Sequence, residues 1–180
     1  MKTAVIVIDM INDFVAGIFK NERAKNIIPS IKQLLNFAHN DKIPVIYAND
    51  AHLPNVDTEF DVWGQHAVVG TWGAQIVEEL RPERGDFVLQ KRRYSAFQGT
   101  DLDQLLRELK VDTLVLTGVI TDICVQHTAA DAFFKGYKII VPEDCVETAN
   151  EQTQKAALGY LKRVYGSKIT RANEIVKKWS

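Results

Sequence analysis

Short apolar runs alternate with helically spaced apolar positions along most of this chain. Ala4–Ile8 is the first run, long enough for a buried strand. Ile27, Ile31, Leu34, Leu35 and Ala38 then recur at helical spacing and predict a helix over Ala24–His39. Pro44–Ala48 and Phe87–Gln90 read as a second and third strand, with a short helix over Gly73–Leu80 between them. Leu102–Leu109 is a helix. The apolar run Leu114–Leu116 follows, then Gly118, then a helix that Thr121 is placed to cap. Tyr137–Val141 is a fifth strand. Thr148 and Glu151 have capping-box spacing for a helix through Lys162. Val164–Ile169 predicts a last strand, and Thr170 the cap of a closing helix. Only Asn49–Thr71 lacks periodicity.

This alternation predicts an α/β fold, with a parallel sheet between helices in three layers. No repeat or low-complexity tract interrupts it, so 1–180 reads as one domain, a size that supports a full core. In such sheets ligands bind beyond the carboxyl ends of the strands, where strand order reverses. Strand-end residues are therefore the first candidates for chemistry.

Composition removes several functions. The 22 basic and 23 acidic residues give a net charge of -1, which offers no electrostatic footprint for nucleic acid or an anionic membrane. No apolar run reaches the ~18 residues of a membrane span. The first run meets Asp9 too soon to form a signal peptide. Two cysteines, Cys124 and Cys145, make no disulfide framework, so a cytoplasmic protein with reduced thiols is expected.

Three strand-end residues stand out. Cys124 falls in the first turn after the central strand, near unpaired N–H groups that favour thiolate, although a buried thiol can equally be a small hydrophobe. Asp9 and Lys91 follow the first and third strands. A turn or cap role for Asp9 and a solvated role for Lys91, beside Arg92 and Arg93, remain open. His127 lies three residues after Cys124 and competes as a base, or packs its helix with a hydrogen bond. Asp50 and His52 flank Ala51 just past the second strand, and an extended stretch projects both to one side. His66 needs only a folded loop to join them in a three-ligand metal set, and Asp57, Glu59 and Asp61 are further acids in that loop.

The segments Val7-Ile-Asp-Met-Ile-Asn-Asp-Phe14, Lys91-Arg-Arg-Tyr-Ser-Ala-Phe97 and Gly118-Val-Ile-Thr-Asp-Ile-Cys-Val125 resemble the isochorismatase-like cysteine hydrolases, which include nicotinamidases, N-carbamoylsarcosine amidases and isochorismatases. The resemblance runs from Val5 to about Val146. It implies a six-stranded parallel sheet and an Asp9–Lys91–Cys124 triad that hydrolyses small amides through a thioester. It further implies a cis peptide at Val119–Ile120 and an oxyanion hole from the N–H groups of Ile120 and Cys124. Asp-x-His with Trp63-Gly-Gln-His66 is similar to the nicotinamidase metal site. It implies a divalent ion, zinc first, on Asp50, His52 and His66. Phe14, Trp63, Tyr94, Val119 and Ile120 are placed by it around the substrate, and a homodimer or tetramer is implied.

There are departures. Many nicotinamidases carry alanine where Ile120 stands, and the compact Lys91–Tyr94 spacing looks more like the carbamoylsarcosine-amidase branch and isochorismatases. Siderophore isochorismatases, however, lack the cysteine and the metal set. The reading is an amidase, nicotinamidase first, an N-carbamoyl or other small-amide hydrolase second. A non-catalytic binding homologue and a redox pair of Cys124 with Cys145 are the readings from other classes.

Overall fold

The computed structural model describes residues 2–179. In chain order the elements are β1 (Thr3–Ile8), α1 (Asn12–Val15), α2 (Glu22–Asn40), β2 (Val45–Asp50), α3 (Phe60–Trp63), β3 (Phe87–Lys91), α4 (Leu102–Glu108), β4 (Thr113–Val119), α5 (Gln126–Phe134), β5 (Lys138–Pro142), β6 (Val146–Glu147), α6 (Glu151–Tyr165), β7 (Lys168–Thr170) and α7 (Ala172–Trp179).

The strands form one parallel sheet in the order β3-β2-β1-β4-β5-β7, with the two-residue β6 added beside β4. The expected six-strand path is thus present with one short extra strand. β1 and β4 are buried along their whole length, as befits central strands covered on both faces. Successive residues of β1 point to opposite layers. Ala4, Ile6 and Ile8 pack with Leu102, Leu106, Ala129 and Leu161 of α4, α5 and α6. Val5 and Val7 pack with Ile27, Ile31 and Leu34 of α2 and with Ala172 and Ile175 of α7. Three layers follow directly from that period of two.

Chain order reverses between β1 and β4, so the carboxyl ends of these neighbours open a crevice. Gly118 makes the neighbourhood possible. It pairs with Ile8, has φ +100°, and an added Cβ would lie 1.9 Å from the Ile8 carbonyl oxygen.

Some local expectations give way. Gly73–Leu80 is not one helix but carries two 3₁₀ turns, Trp72–Ala74 and Glu78–Leu80, and Ile76 between them forms an antiparallel bridge with Ile11. Thr148 and Glu151 form no capping box. Asn150 caps α6 by accepting from the Thr153 N–H at 2.9 Å, while the Thr148 hydroxyl donates to Asp122. α6 continues through Tyr165 and ends on left-handed Gly166, so the last strand begins only at Lys168. Thr121 caps nothing. Thr121–Val125 is a π-helical turn entered from Ile120, and the Thr121 hydroxyl is buried without a hydrogen-bond partner. Thr170 donates its hydroxyl to Glu174 at the start of α7.

Candidate active site

Four strand ends deliver the polar centre. Asp9 follows β1 with φ +53°, a left-handed turn that swings its carboxylate over the sheet edge. Asp50 and Lys91 end β2 and β3 and are register partners. Cys124 sits in the π turn after β4. All four are buried. Lys91 Nζ lies 2.8 Å from Asp9 Oδ2, 2.6 Å from Asp50 Oδ1 and 3.7 Å from Cys124 Sγ. The Asp50 N–H donates to Asp9 Oδ1 at 2.8 Å. The structure thus brings Asp9, Lys91 and Cys124 together, and adds Asp50 to them.

The charges explain the titration. Burial pushes Asp9 up to about 7, and the Asp50 carboxylate adds to that against the pull of Lys91. Burial pulls Lys91 down, but Asp50 and Asp9 outweigh it and hold the ammonium well above its ordinary range. Asp50 stays low despite burial because Lys91 and His52 favour its ionised form. Cys124 is raised, first by burial and then by Asp9 and Asp50, with only Lys91 opposing. The carboxylates and burial thus oppose the thiolate that a helix-start position favours.

The remaining candidates resolve cleanly. His127 is exposed, donates its Nδ1–H to the Ile123 carbonyl at 2.7 Å, and does not line the cavity beside Cys124. Cys145 packs in the α2 layer and Cys124 in the opposite one; both are free thiols. The one histidine with no candidate role, His39, sits in the last turn of α2 and bonds to Asp86 at 3.0 Å.

Beside Cys124 opens a cavity of about 350 Å³. Phe14, Trp63, Tyr94, Val119 and Ile120 all line it. The peptide between Val119 and Ile120 is cis. Phe19, Lys20, Glu59 and Ile123 also line it and were not anticipated there. Phe19 stacks on Phe14 with centroids 5.4 Å apart, and the Trp63 indole N–H donates to the Tyr94 hydroxyl at 3.0 Å, so the walls are largely aromatic.

One wall carries potential metal ligands. The loop after β2 folds back because His52 exchanges backbone hydrogen bonds with Ala67 and Val69, at 2.9 and 3.0 Å, which brings His66 beside His52. One ligand atom from each of Asp50, His52, Glu59 and His66 lies within 4.8 Å of the others. His52 Nε2 is buried with no hydrogen-bond partner. His66 Nδ1 is occupied by the Gly64 carbonyl at 2.8 Å, which leaves its Nε2 lone pair for the cluster. An orphaned buried imidazole nitrogen among carboxylates is what a divalent cation repairs, so these residues fit a metal. Of the three loop acids weighed from the sequence, Glu59 joins the cluster. Asp57 sits behind His52, and Asp61 is outside. No periodic signal marks Glu59, because its position depends on the fold of the loop.

Comparison with known proteins places these observations. The ureidoacrylate amidohydrolase of Pantoea ananatis is 32% identical over 92% of this chain and 77% of its own. Among solved structures, the N-carbamoylsarcosine amidase of Thermoplasma acidophilum is 40% identical, with a TM-score of 0.91 over 96% of this chain and 98% of that one. The nicotinamidase/pyrazinamidase of Bacillus subtilis is 34% identical, with a TM-score of 0.90 over 95% and 100%. The pyrazinamidase of Pyrococcus horikoshii, solved in complex with zinc, is 28% identical, with a TM-score of 0.87 over 95% and 99%. With the isochorismatase-domain profile matching residues 3–174, the chain belongs to the isochorismatase family.

Proposed function

We propose that this protein is a cysteine amidohydrolase of small amides, and that it acts as a nicotinamidase, releasing ammonia from nicotinamide. The observation that carries the reading is the metal-fitting cluster of Asp50, His52, Glu59 and His66 in the same aromatic cavity as Cys124. A flat heteroaromatic amide has a ring nitrogen for such a centre and a face for Phe14, Phe19 and Trp63. Asp50, His52, Glu59 and His66 would hold a divalent ion such as zinc, which would supply Lewis acidity at this wall of the cavity.

The protein's own residues account for the chemistry. Asp9 accepts the Cys124 proton while Lys91 stabilises the resulting charge. Sulfur bonds to the carbonyl carbon, and the oxyanion is met by the N–H groups of Ile120 and Cys124, a contact worth roughly 3 kcal/mol per donor. Asp9 returns the proton to the amide nitrogen, the C–N bond breaks and ammonia leaves. Water, deprotonated by Asp9, attacks the thioester. The C–S bond then breaks to give the acid, and the proton returns to sulfur. One proton shared between Asp9 and Cys124 fits a buried cluster with a single cation for two carboxylates.

An N-carbamoyl or ureido acid is the second reading. It is supported by Lys20, the one lysine or arginine among the described residues that line the cavity, which suits a substrate carboxylate. The test is ammonia release from nicotinamide and from N-carbamoylsarcosine by purified protein, with chelator and zinc add-back. Zinc-dependent release from nicotinamide supports the first reading. Release only from the carbamoyl acid, lost in Lys20→Ala, replaces it with the second. No release from either sinks both.

A further inference from the structure

Behind the candidate metal ligands lies a second layer of charge. Asp57 has a fully buried side chain and a neighbour on every side. One oxygen lies 3.1 Å from His52 Nδ1 and accepts the Leu53 N–H at 2.8 Å. The Arg92 guanidinium closes over both oxygens, with Nε at 2.9 and 3.0 Å and a further contact from its terminal nitrogen. With Nδ1–H donating to Asp57, the lone pair of His52 lies on Nε2, the atom that is buried, unpartnered and turned toward Asp50 and Glu59. Ring tautomer and ring orientation are thereby set from behind.

Arg92 also follows Lys91 directly in the chain. At the end of β3, Lys91 turns inward to hold the Asp50 carboxylate, and Arg92 turns to hold Asp57. Two consecutive residues thus brace two ligands that are themselves only two residues apart, and Ala51 between them is pinned by its N–H to the Lys91 carbonyl at 2.9 Å.

We infer that Asp57 and Arg92 are positioning residues for a metal centre: the Arg92–Asp57–His52 chain presets His52 Nε2 as a ligand, so that metal affinity depends on a surface arginine that is not itself a ligand. This rests on the metal reading above. Neither residue lines the cavity around Cys124, and the side-chain contact that links them to the metal-fitting cluster is the one from Asp57 to His52.

The experiment is competition for zinc between a chromogenic chelator and metal-stripped wild type, Asp57→Asn, Arg92→Ala and Arg92→Lys. The cobalt(II) visible spectrum of each is a readout that a loss of general stability does not mimic. Asp57→Asn is expected to bind zinc about 10- to 100-fold more weakly, the usual effect of losing such a support. Arg92→Ala should weaken binding by a smaller factor, and Arg92→Lys should recover part of it, because an ammonium cannot span both oxygens. Both weakened variants should show shifted cobalt bands. Should Asp57→Asn fail to fold, Arg92→Ala decides, since that side chain is 42% exposed and carries little packing. Wild-type zinc affinity and cobalt spectrum in a folded variant overturn the inference while leaving the metal reading intact. Absence of zinc binding by wild type overturns both.

Discussion

Asp50 and Asp9 are bound to each other and to the same cation. The Asp50 N–H donates to Asp9 Oδ1 at 2.8 Å, and their carboxylates reach Lys91 Nζ at 2.6 and 2.8 Å. Asp50 also turns its other oxygen toward His52 Nε2, 3.6 Å away. One aspartate therefore joins the Cys124 centre to the metal-fitting wall.

That arrangement makes Lys91 a structural as well as a chemical group. Lys91→Met leaves two buried carboxylates without their cation, which is expected to destabilise the fold by about 3–5 kcal/mol. Asp9→Asn leaves Lys91 paired with Asp50, so it should fold and lose activity by roughly 10²- to 10⁴-fold. Urea denaturation read beside amide turnover checks the contrast. A Lys91→Met protein as stable as wild type would contradict it.

The pH dependence has a sign that follows from Asp9. Its carboxyl is raised from 3.8 to about 7 in the folded protein, so between these values the folded state holds a proton that the unfolded chain lacks. The stability this confers is complete below about pH 4 and is lost as pH rises through about 7. Relative to Asp9→Asn, wild type should therefore lose stability across that window. kcat/KM should rise over the same range as Asp9 becomes available as a base. A flat stability difference from pH 4 to 7 would remove Asp9 as the titrating group.

The two thiols should behave differently under substitution but alike under mild labelling. Cys124→Ala is expected to abolish turnover and Cys145→Ser to preserve it, since Cys145 lies in the opposite layer. Burial and carboxylates raise Cys124, so iodoacetamide should modify the resting enzyme slowly at pH 6–7, as mass spectrometry of a time course can establish. Rapid labelling at pH 6 would mean that the proton rests on Asp9.

Gly118→Ala should break the crevice between β1 and β4. The new Cβ meets the Ile8 carbonyl oxygen at 1.9 Å on a residue with φ +100°, a combination of strain and overpacking that costs about 3 kcal/mol or more. Thermal unfolding of the variant is the check, and a wild-type Tm would refute the close approach.

The sequence by itself determined the three-layer architecture and which strand ends carry Asp9, Asp50, Lys91 and Cys124. In a parallel sheet every strand runs the same way, so residues that close separate apolar runs share one edge without any contact being known. Asp50-Ala-His52 was legible for a related reason, since extended backbone sends alternate residues to one side. Tertiary structure decided what periodicity cannot carry. Glu59 enters the metal wall and Asp57 retreats behind it because the 51–69 loop folds back on itself through His52, Ala67 and Val69. Phe19 and Lys20 reach the cavity from another loop. The Cys124 thiol is raised instead of lowered because its titration is set by burial and by two carboxylates from distant strands, which no local motif encodes.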